Sequence, residues 1–269
     1  MAVPDSALYA RRGANKHRND LAWRPIGTPK PVPPQNAKLS NMSQGASRRV
    51  GEPDVDPTVY PVEDDMGEDL LQRMIVTELL PEVRRWLAER GEHALAGADQ
   101  FIYWKQYDPS CCVSPDLYVL PGVDPDTRVG AWKLWETGIA PSFALEIVSR
   151  NVPKDYLRAP IRYAQVGVEE LVVFDPDADD RPGRLRWQVM HRQPDGQLQS
   201  ANATNHDRVV SRVLGCWLRV VGQGSRQRVR LATGATGEVL RATAEERARV
   251  AEAELQRLRQ ELERLRVDV

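Results

Sequence analysis

Asp116 stands behind a proline in the stretch Ser-Pro-Asp-Leu-Tyr-Val-Leu, residues 114–120, at the entry to an apolar, sheet-forming run. Glu146 lies inside a second such run, Ser-Phe-Ala-Leu-Glu-Ile-Val-Ser, residues 142–149. An acid in this setting costs stability unless it stays wet or finds a partner. Strand alternation places Glu146 on the same face as Ala144 and Val148, where a covering helix would bury it in part. Two carboxylates brought together repel unless a proton or cation neutralises them. Mg²⁺ is a hard ion that takes carboxylate, water and phosphate oxygens. Held there, it would polarise a phosphodiester and lower the pKa of an attacking water. The two acids therefore point toward phosphodiester hydrolysis.

The elements that must position them are readable in part. Residues 1–57 are rich in Pro, Asn, Arg, Lys and Ser without an apolar period and are expected to form a disordered arm. Leu71, Met74, Ile75, Leu79, Val83, Trp86 and Leu87 then recur at the three-to-four spacing of a buried helical stripe. Gly91 is the expected stop, and Pro81 is expected to bend or divide this helix. Glu68 falls in line with Ile75, Leu79 and Trp86 and should lean toward whatever the helix covers; if that is the Glu146 face, the glutamate is partly buried and needs a partner.

Strand-type runs occupy 100–108, 112–120, 142–149 and 170–175, followed by 184–192, Cys-Trp-Leu-Arg-Val-Val and Arg-Val-Arg-Leu-Ala. Between the third and fourth, Leu157, Ile161 and Ala164 have helical spacing, started either by an Asp155 cap or by Pro160 in the first turn. Strand, helix, strand gives a βαβ crossover and a parallel pair in a mixed sheet. Near the C-terminus, Thr243 and Glu246 form a capping-box signature. Ala248, Ala251, Leu255, Leu258, Leu262 and Leu265 then trace a coiled-coil seam. Arg247 with Glu252, Glu254 with Arg259 and Glu261 with Arg266 flank it with opposite charges, as a parallel homodimer requires. The other reading of the same helix folds it back onto the domain.

Composition excludes several classes. A net charge of −1 gives no global field for coating nucleic acid. No apolar run approaches the roughly 18 residues of a membrane span, so a soluble cytoplasmic protein is expected. His17, His93, His191 and His206 are scattered, and Cys111, Cys112 and Cys216 form neither a disulfide framework nor a zinc pattern. Serine-hydrolase and P-loop motifs are absent.

Taken together, residues 114–120, 132–149 and 154–177 resemble the Uma family of restriction-endonuclease-like proteins, within the PD-(D/E)XK nuclease superfamily. The similarity spans residues 60–240. It implies an α/β, restriction-endonuclease-like core with a mixed β-sheet flanked by helices over residues 58–240, between the 1–57 arm and a coiled-coil helix at 241–269. It also implies a Mg²⁺- or Mn²⁺-dependent endonuclease acting on DNA, which a dimer through the C-terminal helix would fit, since two copies present one active site to each strand. The family's Asp after Pro, Glu followed three residues later by Ser, and first-helix Glu fall on Asp116, Glu146 with Ser149, and Glu68. Asp116 and Glu146 would ligate the metal, with Glu68 assisting directly or through water.

One element of that pattern is missing. The superfamily's lysine, two residues after the glutamate, is Val148 here, and the family's alternative, four residues after an aspartate like Asp155, is Ala159. Lys154, Arg158 and Arg162 are the nearby substitutes, with Lys154 preferred for its flexible reach. The missing lysine also supports a second reading, an inactive nuclease fold serving nucleic-acid binding or assembly. Tyr163, Gly167 and Asp175 match the resemblance as a packing or substrate-edge residue, a helix stop and a strand end. Trp132 and Trp135 are expected to serve core or lid packing.

Overall fold

From Leu70 to Glu89 the apolar stripe winds into helix α1, burying Ile75, Val76, Leu79, Val83 and Leu87. Leu71, Met74 and Trp86 are only half-buried, and Val76 joins the core instead. Pro81 does not divide the helix. It is exposed, as is Thr77 one turn earlier, so the carbonyl that Pro81 cannot serve is on the side open to water. Gly91 closes the end at φ 70°, its N–H reaching the Ala88 carbonyl at 3.0 Å.

The computed structural model describes residues 58, 70–148, 154–178 and 181–267, all within one unit. The expected N-terminal arm, Glu68 and Ser149 lie outside the described residues. After α1 come β1 (Ala94–Gly97), β2 (Phe101–Tyr103), β3 (Cys112–Val113), β4 (Leu117–Pro121), β5 (Ala131–Lys133), a short α2 (Leu134–Thr137) and β6 (Phe143–Ile147). A π-helical turn (Lys154–Arg158) leads into α3 (Ala159–Val166) and β7 (Glu170–Phe174). The chain continues through β8 (Trp187–Arg192), β9 (Leu198–Thr204), β10 (Arg208–Ser211), β11 (Cys216–Val221), β12 (Arg228–Thr233), β13 (Val239–Leu240) and α4 (Ala244–Val267).

A six-stranded sheet in the order β1-β4-β6-β7-β8-β9 forms the centre. β6 and β7 are parallel, joined through α3 as the βαβ reading required, and the other neighbours are antiparallel. This is the expected mixed α/β architecture. On one face of the sheet, Leu117, Val119, Phe143, Leu145, Ile147, Val172 and Phe174 pack with α1 and with Val209, Leu218, Val229 and Leu231 of the β10-β11-β12-β13 sheet. On the other, Tyr118, Ala144, Val148, Leu171 and Val173 pack with Ala159, Tyr163 and Val166 of α3 and with the β3-β2-β5 sheet. The helix covering the Glu146 face is therefore α3, not α1.

Three expectations need correction. The 100–108 run is a strand for three residues only, because the chain turns at Tyr107, φ 63°, and Asp108 caps that turn by accepting from the Ser110 hydroxyl at 2.6 Å. The 112–120 run is two strands separated at Ser114–Asp116, where Pro115 has no N–H for a ladder. On the π turn and α3, Leu157 and Ile161 are 68% and 62% exposed, and the buried set is Ala159, Tyr163, Ala164 and Val166. Pro160 occupies the first turn of α3, which has no side-chain cap, and Gly167 ends it at φ 96°.

Candidate active site

Asp116 and Glu146 lie on neighbouring segments near one end of the central sheet. β4 and β6 are antiparallel with Leu117 opposite Leu145, and this register, continued by one residue, sets Asp116 opposite Glu146. Asp116 is only 4% exposed. Its Oδ2 accepts the Ile147 backbone N–H at 2.5 Å, which extends the ladder through a side chain. Its Oδ1 accepts from Gln72 Nε2 in the first turn of α1. The proline before Asp116 ends one strand and the aspartate stitches the next to β6, so the acid has both a structural tie and oxygens at the sheet end.

Glu146 is half-buried and alternates with Ala144 and Val148, as expected. Its Oε1 accepts the hydroxyl of Tyr163, a buried residue of α3. One turn before Tyr163 on the same face is Ala159, 8% exposed, in one apolar cluster with Val148, 6% exposed. Both positions at which the resemblance calls for a lysine thus hold apolar side chains in the cluster that also contains Tyr163.

The substitutes divide clearly. Arg162 donates to the Ser110 and Cys112 carbonyls at 2.6 and 2.5 Å and lies over the Trp104 ring, which commits it to pinning β3 against α3. Arg158 is exposed at the α3 N-terminus. Lys154 opens the π-helical turn. That turn is held to the end of β7 by Tyr156, whose hydroxyl donates to Asp175 Oδ2 at 2.5 Å. Asp175 is fully buried and also takes a bidentate contact from Arg184, Nη2 to Oδ1 at 2.6 Å. Burial, with the Asp175 hydrogen bond second, pushes the Tyr156 hydroxyl up to about 12. A π turn is uncommon and often marks a functional site, and here it precedes the helix that contacts Glu146.

Trp132 is a core residue with its indole N–H on the Ile139 carbonyl at 2.8 Å, and Trp135 is half-buried. Gln72, Tyr156 and Arg184 were not foreseen. The sequence signal for Gln72 was available, because it follows Glu68 by one helical turn on the line that leads to Ile75 and Leu79. Tyr156 and Arg184 depend on a tertiary meeting at Asp175 that spacing does not encode.

Carboxylate oxygens are the hard donors a divalent ion takes, and Asp116 and Glu146 supply them from neighbouring strands, with Gln72, the Ile147 amide and Tyr163 among the groups that orient them. Among the described residues no group of three His, Cys, Asp or Glu side chains forms a complete metal site.

An α/β protein with paired acids at adjacent strand ends and a helix covering one of them is the class that the fold and site define. The Uma2 family model, described as "Putative restriction endonuclease", matches residues 65–221, more than half of the chain. The chain belongs to the Uma2 family. Among solved structures it is similar to the crystal structure, at 1.96 Å, of a "putative nuclease belonging to DUF820" from Anabaena variabilis ATCC 29413. That similarity has 13% identity, a TM-score of 0.37 and coverage of 55% of this chain and 75% of the other, too low to transfer an activity. No curated protein matches the chain. No helix among the described residues is long and apolar enough to cross a membrane.

Proposed function

We propose that this chain is a divalent-metal-dependent endonuclease that hydrolyses phosphodiester bonds in DNA, working in the cytoplasm as a homodimer. The observation that supports the reading is that Asp116, just before β4, and Glu146, in the adjacent strand β6, each accept a hydrogen bond from a different helix. Asp116, Glu146 and Glu68 are the proposed holders of Mg²⁺ or Mn²⁺, which when bound would supply Lewis-acid activation of the phosphate and of the attacking water. Gln72 and Tyr163 fix the two carboxylates so that they need not reorganise during the reaction. Lys154 is the proposed source of positive charge near the developing phosphorane, at the start of a turn anchored by Tyr156.

Calorimetric titration with Mn²⁺ tests this reading before any substrate is involved. Binding is expected in the natural chain and absent in an Asp116→Asn, Glu146→Gln double variant that keeps its thermal midpoint. Equal heat from both would end the proposal.

A second reading, a nuclease fold kept for nucleic-acid binding or assembly, is favoured by one observation: Val148 and Ala159 leave no lysine at either expected place. Metal binding without cleavage of any DNA form, single-stranded or supercoiled, would select it.

A further inference from the structure

From Ala248 to Arg266 every residue of α4 is exposed, so the helix does not fold back on the domain. Leu255, Leu258, Leu262 and Leu265 are 48, 47, 60 and 60% exposed and lie along a single stripe. A leucine stripe left wet gives the helix none of the packing that supplies most helical stability in proteins.

Its root, by contrast, is firmly fixed. Thr243 and Glu246 form the reciprocal capping box, Glu246 N–H to Thr243 Oγ1 at 3.2 Å and Thr243 N–H to Glu246 Oε2 at 2.8 Å. Arg230 of β12 grips the Glu246 carboxylate with two nitrogens, at 3.0 and 2.6 Å. Glu82 of α1 accepts the Ala244 N–H at 3.0 Å, Arg85 donates to the Ala242 carbonyl at 2.7 Å, and Arg241 pairs with Glu89. These ties point α4 away from the core and hold its first turn there.

We propose that the leucine stripe of α4 is the docking surface for a second copy of this chain, running parallel and in register. The occupant is identified by charge. In that pairing Arg247, Glu254 and Glu261 of one copy oppose Glu252, Arg259 and Arg266 of the partner subunit, so all three pairs are attractive and each occurs twice. Aligning the same apolar layers antiparallel sets Glu254 against Glu261 of the partner subunit, like charge on like, and among these six residues balances it only with Glu252 against Arg259 of the partner subunit, so the parallel register carries the larger favourable set. The seam also narrows usefully: Ala248 and Ala251 next to the root let the two backbones approach, and the leucine layers beyond fill the space between them. The proposal holds whether or not the chain cleaves DNA.

The experiment uses the full chain with Cys111→Ser, Cys112→Ser and Ala251→Cys, oxidised with diamide at micromolar concentration. Light scattering is expected to give twice the 30.3 kDa chain mass, and a non-reducing gel a disulfide-linked dimer, because residue 251 meets its own copy only in the parallel register. A monomeric mass, or a dimer that fails to cross-link at 251, overturns the proposal. Leu258→Glu with Leu262→Glu on the natural chain is expected to return it to the monomer with the thermal unfolding of the core intact. A dimer that persists in this variant would place the interface elsewhere and also overturn it.

Discussion

At the scale of single residues, Asp116 has a structural tie beside the catalytic role proposed for it. Its Oδ2 replaces a missing ladder partner for the Ile147 N–H, and it stands just before β4, next to the strand that carries Glu146. Asp116→Asn keeps the size but removes the charge, so cleavage is expected to fall by about 100-fold or more while the fold survives. Tyr163→Phe removes the hydroxyl donor to Glu146, the proposed metal ligand, and should cost about tenfold in turnover. Ala159→Lys is expected to raise turnover by about tenfold or more, since it returns a cation one turn from Tyr163; a folded variant with unchanged turnover would remove that account of the missing lysine. Tyr156 supplies a pH test. Its hydroxyl is held up to about 12, against 10.0 for an ordinary tyrosine. Between those values the unfolded chain loses this proton and the folded chain keeps it, so stability is full below pH 10 and declines as pH rises toward 12. Tyr156→Phe should flatten that part of the decline, as urea midpoints measured from pH 9 to 11 would show. Asp116 and Glu146 stood out in the sequence because acids at or inside apolar strands need a reason. Gln72 and Tyr163 were harder to assign, because glutamine and tyrosine are ordinary on half-buried helical faces and only the tertiary meeting gives them a role.

At the scale of elements, the β6-α3-β7 crossover was readable because two long β-branched runs bracket a helical spacing. The facing of α3 was not. Leu157 and Ile161 are the larger apolar residues, yet the sheet takes Ala159, Tyr163 and Ala164, because a close-packed helix beside Glu146 needs small side chains and one hydroxyl. β1 escaped notice since Ala-Leu-Ala-Gly carries no β-branched residue, and β9 since an exposed edge strand is polar. Gly97 explains the composition of β1. A Cβ there would lie 2.4 Å from the ring of Tyr118, its partner across the ladder. Gly97→Ala should displace that ring and destabilise the chain by about 1–3 kcal/mol, read from urea unfolding. Glu170 makes the other long-range tie. Fully buried at the start of β7, it accepts from the Ser211 hydroxyl and from the Arg212 N–H at 2.8 Å, with His191 Nε2 at 3.0 Å, and so joins the central sheet to the β10–β11 connection. Glu170→Ala leaves those groups without their acceptor and is expected to cost about 3 kcal/mol or more, in the range for breaking a buried charged network.

At the scale of the whole molecule, net charge told little, as −1 is compatible with many partners. What the chain's organisation adds is a nuclease-family core with a fixed helical strut at its C-terminus. Two copies joined along α4 would present two carboxylate pairs to one duplex. The dimer contact and the chemistry are separable, so Leu258→Glu with Leu262→Glu should reduce double-strand breaks relative to nicks without abolishing nicking. The measurement that tests the central claim most directly is the conversion of supercoiled plasmid to nicked and linear forms by the purified full chain in Mg²⁺ or Mn²⁺, beside Glu146→Gln prepared in parallel. The paired-carboxylate account predicts metal-dependent conversion by the natural chain and none by the variant. Equal conversion by both, or none by the natural chain with either ion, would contradict it.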